Sequence, residues 1–176
     1  YLSSLERGCQ VMAVQTTYAT SHNAAYAGML ADEQLFNTVS KLNKSTTVTV
    51  PYGYGVVTDG DDGAKLPVAA SVLKNFVGIA HRELNRAYTA SQVFGAVPQY
   101  DFSVITEGVV WVTASVQVAK DDPVYLIVGD GTGTNQGKFS NVIGTGATTG
   151  ILISNAKWVS SAASGALAKI SLGLGG

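Results

Sequence analysis

Residues 107–128 read EGVVWVTASVQVAKDDPVYLIV, two apolar runs rich in Val, Tyr and Trp on either side of Lys120-Asp121-Asp122-Pro123. Branched and aromatic side chains suit a pleated, half-buried surface, so the stretch predicts a strand, a turn and a second strand. Pro123 fits a strand start, where its missing N–H costs no ladder bond. Both alternation classes are apolar in 109–112 and again in 124–128, so these strands are expected to bury both faces or to have one covered by another element. Trp111 and Tyr125 are therefore expected to be buried. The two predicted strands carry almost no chemistry, which points to a scaffold or surface protein rather than a catalyst.

Outward from this pair, further strands are predicted at 46–57, 65–68, 76–80, 92–96, 103–105, 150–153, 157–160 and 167–172, punctuated by Gly, Asp and Asn turns. Short strands repeatedly broken by turns indicate an all-β protein, a single β-sandwich or jelly-roll-like barrel. Ahead of them, residues 13–29 carry neither a formal charge nor a period and read as an extended arm. Leu35, Phe36, Val39 and Leu42 follow Asp32-Glu33-Gln34 at helical spacing, which predicts a short helix capped by Asp32. Residues 1–45 are thus an N-terminal arm with a short helix, and 46–176 a β-rich domain. Met12 opens a new polar stretch, which offers two readings of residues 1–11, a segment upstream of the natural initiator or an ordinary terminus.

A chain of 176 residues suits one domain with a real core. Charged residues are only 13% of it, about half the usual ~25%, while 20 glycines favour tight turns. A net charge of −1 and arginines only at Arg7, Arg82 and Arg86 leave no basic track for nucleic acid. The single Cys9 excludes an intrachain disulfide and multi-cysteine metal patterns. No apolar run reaches the roughly 18–20 residues of a membrane-spanning helix. Residues 16–23 are polar where a secretory signal needs an apolar core.

Residues 129–138, GDGTGTNQGK, invite a phosphate-loop reading that fails on spacing. The glycine required five residues before Gly137 falls on Thr132, and Phe139 stands where a Mg²⁺-binding Ser or Thr is needed. A hairpin loop explains the glycines better. Asp59, Asp61 and Asp62 resemble half a calcium loop, but its twelfth position is Ala70, so a solvated turn is expected. His81 could pair with Glu83 or Glu107 as a base, yet no serine or cysteine stands in a nucleophile context. The residues thus name no catalytic, cofactor-binding or metal-binding group. Trp111, Trp158, Tyr52, Tyr54 and Tyr125 offer a second reading as a sugar-stacking platform, against which core packing is weighed for both tryptophans.

In order and spacing the chain resembles the bacteriophage capsid cement, or decoration, proteins. The resemblance lies in Ala25-Tyr26-Ala27-Gly28-Met29-Leu30-Ala31-Asp32, Tyr54-Gly55-Val56-Val57, Lys65-Leu66-Pro67 and Phe76-Val77-Gly78-Ile79-Ala80. It continues in Gly108-Val109-Val110-Trp111-Val112, Asp122-Pro123-Val124-Tyr125, Ala156-Lys157-Trp158 and Gly165-Ala166-Leu167-Ala168. Lys120-Asp121 departs from it, standing where a Gly is expected before the Asp-Pro. The resemblance implies a non-enzymatic virion protein on the outer surface of an icosahedral shell, usually a homodimer or homotrimer, that clamps neighbouring major capsid proteins. It also implies an N-terminal arm reaching onto the shell or a sister subunit. Tyr18, Tyr26, Met29, Leu30, Asp32, Phe36, Arg82 and Arg86 are the expected contacts, and cutting at residue 31 is expected to leave the β domain folded. Neither nucleic acid nor membrane is an expected partner. The alternative is a carbohydrate-binding or adhesin-like β domain of a phage tail or cell surface, followed by a hydrolase on a β scaffold.

Overall fold

The computed structural model describes residues 25–32, 35–83, 93–132 and 134–173. Its strands are β1 (Asn37–Leu42), β2 (Val50–Pro51), β3 (Gly55–Asp59), β4 (Gly63–Lys65), β5 (Phe76–Ala80) and β6 (Gly95–Ala96). They continue with β7 (Asp101–Thr113), β8 (Pro123–Ile127), β9 (Phe139–Ser140), β10 (Gly150–Trp158) and β11 (Leu167–Leu172). The described helical structure is confined to two single 3₁₀ turns, Leu73–Asn75 and Gly146–Thr148, so the all-β reading holds.

The long strand β7 organises everything else. Its first half pairs with β1 and β5, and its second half, from Gly108 to Thr113, pairs with β11. Because β1 also meets β4, the strands β1-β4-β3-β5-β7 close on themselves. On the other side the order runs β7-β11-β10-β8-β9. Phe139 of β9 then bridges to Ala114, and its carbonyl accepts the Ser115 N–H at 2.9 Å, so this half also returns to the end of β7. Two barrel-like halves therefore share one strand.

This arrangement accounts for the apolar character of both faces. Adjacent strand residues point to opposite sides, and Val104 joins a small core with Val50, Val56, Ala64, Ala80, Ala96 and Phe102. Its neighbour Ile105 joins the large core with Val57, Ile79, Val110, Leu126, Phe139, Ile153 and Trp158. Glu107-Gly108 reads as a break between two strands, yet the strand runs through it and only changes partner. There Gly108 takes φ +122° and the β1 register slips. Likewise 150–153 and 157–160 are largely one strand, β10, with an irregularity in its pairing to β8. The short β9 escapes sequence reading because glycine-rich sequence precedes its two residues.

The predicted helix is corrected: 37–42 is strand β1, paired antiparallel to β7 from Asn37↔Glu107 to Leu42↔Asp101, while Glu33 and Gln34 lie outside the described residues. Thr38, Val39 and Ser40 are weak helix formers, and a long-range ladder outweighs four apolar residues at helical spacing. The expectation for the aromatics is also corrected. Trp158 is fully buried, with its indole N–H directed at the Ser140 carbonyl at 3.4 Å. Trp111 and Tyr125 are half-buried, and the Lys169 ammonium lies 5.0 Å from the Trp111 ring centre.

The turn before β8 shows why a glycine is expected there, since Asp121 takes the left-handed φ of 71°. Asp122 anchors the turn by accepting the Asn141 side-chain N–H at 2.6 Å and the Ala119 N–H at 2.8 Å. These two bonds, Asn141 first, hold its carboxyl below the usual carboxylate range.

Asn43, fully buried just after β1, links distant parts of the chain. Its amide donates to the carbonyls of Val48 at 2.9 Å and Ala96 at 3.0 Å, and its Oδ1 accepts the Ser45 N–H at 3.2 Å. Asn43→Ala strands two carbonyls, at an expected cost of about 2 kcal/mol. Urea unfolding reads this directly, and an unshifted midpoint would mean that water replaces the amide.

Candidate functional site

The residues that suggested chemistry are engaged in holding the fold. His81 lies just after β5, where its backbone N–H donates to the Ser103 carbonyl at 2.9 Å. Burial pushes its imidazole pKa down, partly opposed by the charge of Glu83. Glu83 itself accepts the Ser103 N–H at 2.9 Å. Among the described residues no three His, Cys, Asp or Glu side chains are grouped to hold a metal ion. Asp59 pairs with Lys65 at 2.9 Å across the β3–β4 hairpin, and the Asp61 carbonyl accepts the Lys41 ammonium at 2.9 Å. The glycine-rich segment joins β8 to β9 as a hairpin loop, with Asp130 accepting the Thr132 N–H at 2.9 Å. The sugar-stacking platform is also corrected, because Tyr52 and Trp158 are buried. No described helix is long and apolar enough to cross a membrane.

What remains is a surface built where the N-terminal segment joins the barrel. Residues 28–31 run along the second half of β7. The Gly28 N–H donates to the Trp111 carbonyl at 2.7 Å, the Trp111 N–H donates to the Met29 carbonyl at 2.8 Å, and Ala31 donates to Val109 at 2.8 Å. On its other side the Gly28 carbonyl accepts the Arg82 N–H at 2.8 Å. Only glycine suits this crossing. Gly28 takes φ +84°, and a Cβ there would stand 2.8 Å from both the Ala80 carbonyl oxygen and the Gly53 nitrogen.

The expected contact residues fall into two groups around this rail. Tyr26 is 46% exposed, and the Arg82 guanidinium carbon lies 4.4 Å from its ring centre. The same guanidinium is 5.3 Å from the ring of Phe94, itself 51% exposed. Leu30, Ala31, Asp32 and Phe36 line a shallow hollow, where Phe36 backs onto Gly108. Met29 is partly exposed between residues bonded to β7, while Leu30 turns toward the large core. Tyr18 and Arg86 lie outside the described residues. Sequence reading missed Phe94, which it placed inside a strand over 92–96. Only Gly95 and Ala96 are strand, so Phe94 stands outside the alternation that would bury it.

Residues 14–173 match the family described as structural cement proteins (E217 gp24/Pam3 gp6). The chain belongs to this phage cement family. As a phage cement protein it has a structural role in the virion. A chain from the capsid of Myoviridae phage XM1 has a similar fold, with a TM-score of 0.67 at 19% identity over 93% of this chain and 99% of that one. The N base of head fiber gp8.5 from bacteriophage phi29 is a more distant likeness, with a TM-score of 0.39 at 15% identity over 77% of this chain and 94% of that one. No curated protein matches the chain.

Proposed function

We propose that this cement protein is non-enzymatic, seats on the outer surface of an icosahedral phage shell and clamps adjacent major capsid proteins, acting as a homodimer or homotrimer. The observation that carries the proposal is the exposure of the apolar and aromatic side chains Tyr26, Met29, Phe36 and Phe94 in two groups around the segment bonded to β7. Upstream of it lie residues 13–24, which have no formally charged side chain. We assign these residues the part of an arm that docks on the shell, since a polar, uncharged segment gains buried surface mainly against a partner. Low charge lets a broad surface meet the shell while desolvating few ions. Many copies on one shell then allow modest affinity per copy. We place the boundary of the arm at residue 24, because residues 25–31 and β1 already belong to the barrel.

The test is co-sedimentation of the full chain with purified shells lacking it. The expected result is saturable binding at a fixed ratio of cement to capsid subunits, with a dimer or trimer of the free protein in light scattering. Full-length protein left in the supernatant at every concentration retires the proposal.

A further inference from the structure

The Arg82 guanidinium is a cation without an anion among the described residues. It lies over Tyr26 and near Phe94, and the salt bridge that the described residues contain, Lys65–Asp59, is well away from it in sequence. Glu83, its sequence neighbour, directs its carboxylate to the Ser103 N–H. The backbone of Arg82 is held as well, since its N–H donates to Gly28. The side chain is half-buried, and stacking on aromatic rings restrains its rotamers, so less freedom remains to be lost when a ligand arrives.

The five N–H donors of a guanidinium lie in the plane of the group, and ring faces beside it offer them no carboxylate or carbonyl acceptor. When a partner covers Tyr26 and Phe94, the donors lose water and need acceptors to avoid a buried unsatisfied charge. A carboxylate meets two of them at once in the matching planar geometry. Resting on the proposal that this face meets the shell, we infer that Arg82, set by Tyr26 and Phe94, is a receptor for an Asp or Glu side chain of the major capsid protein. The capsid protein is favoured over a second copy because the chain belongs to a family of structural cement proteins, for which the shell is the surface to be joined.

Arginine flanked by exposed aromatics is also the composition in which binding energy concentrates at protein interfaces. Lysine carries the charge but lacks the planar fork, so Arg82→Lys is not conservative at such a site. Both Arg82→Ala and Arg82→Lys are expected to weaken shell binding at least about tenfold. Their melting temperatures should stay close to that of the parent.

Carbodiimide coupling of the Arg82→Lys variant to cement-free shells, at saturating concentration, identifies the acceptor. The new amine is expected to form an amide with an Asp or Glu of the capsid protein, found by peptide mass spectrometry. Unchanged binding by both variants overturns the inference while leaving the capsid-binding proposal in place. So does coupling only to a second copy of this chain, or a binding loss matched by a fall in melting temperature. Failure of the parent protein to bind shells removes both.

Discussion

Protein lacking residues 1–24 is expected to lose shell binding by about a hundredfold or more, equivalent to roughly 2.8 kcal/mol per copy, while its β domain unfolds at the parental urea concentration. Removing residues 1–31 is expected to remove the fold as well. This departs from the expectation that a cut at residue 31 abolishes shell binding while leaving the β domain folded. Gly28, Met29 and Ala31 bond to β7, Ala25 is buried, and Leu30 packs on the large core. Stripping them leaves the second half of β7 with unpaired groups along that edge, and the backbone of Gly53 exposed where Ala27 and Gly28 had covered it. Co-sedimentation and urea unfolding of the two truncations separate the roles. Undiminished shell binding by protein lacking 1–24 would refute the arm, and a parental midpoint for protein lacking 1–31 would refute the rail.

Gly78→Ala is expected to be the most damaging single methyl addition in the barrel, at a cost of about 4 kcal/mol or more, a large part of a domain's total stability of about 5–15 kcal/mol. Gly78 sits on β5 opposite Val56 of β3, where the pairing register slips. A Cβ built there overlaps the Ile105 carbonyl oxygen of β7 and stands 2.9 Å from its carbon. These are backbone atoms of the shared strand and cannot swing aside like the tip of a side chain. Relief requires β5 and β7 to separate, which breaks the Ile79↔Ile105 and Ala80↔Val104 pairs between the two cores. Gly165→Ala is the control. At φ +80° it is strained, but nothing lies within 4 Å, so about 1 kcal/mol is expected. Equal urea midpoints for the two variants would refute the argument.

The sequence was most legible where local chemistry is decisive. Val, Ile and Thr in alternation mark strands, and Asp and Gly mark the turns between them, so the all-β class follows from residues such as 76–80 and 167–172. The order of weak motifs carries the family resemblance for the same reason, because each lies in or beside a strand, a turn or the segment bonded to β7 that the fold requires. The proposed contact surface draws on Tyr26, Arg82, Leu30, Asp32 and Phe36, which the sequence singled out, while Phe94 enters the proposal only through its place beside Arg82 in the fold.

Partner choice is different in kind, because a strand's own pattern states which residues share a face and not which distant strand will bond to it. Local spacing in 35–42 matches a helix, and only the ladder to β7 makes it β1. Glu107-Gly108 likewise resembles a chain break, and only the exchange of β1 and β5 for β11 shows one strand serving two barrel-like halves. Trp111 and Trp158 are equally apolar in sequence, yet the closure of the second half buries one and leaves the other beneath Lys169. The stacking of Arg82 with Tyr26 and Phe94 arises in the same way. By itself the sequence determined the strand-forming segments, the low charge and the family resemblance, since these are properties of neighbouring residues. The tertiary structure decided the partner switch on β7, the rail of residues 28–31 and the aromatic setting of Arg82, since each depends on hydrogen bonds and packing between residues far apart in the chain.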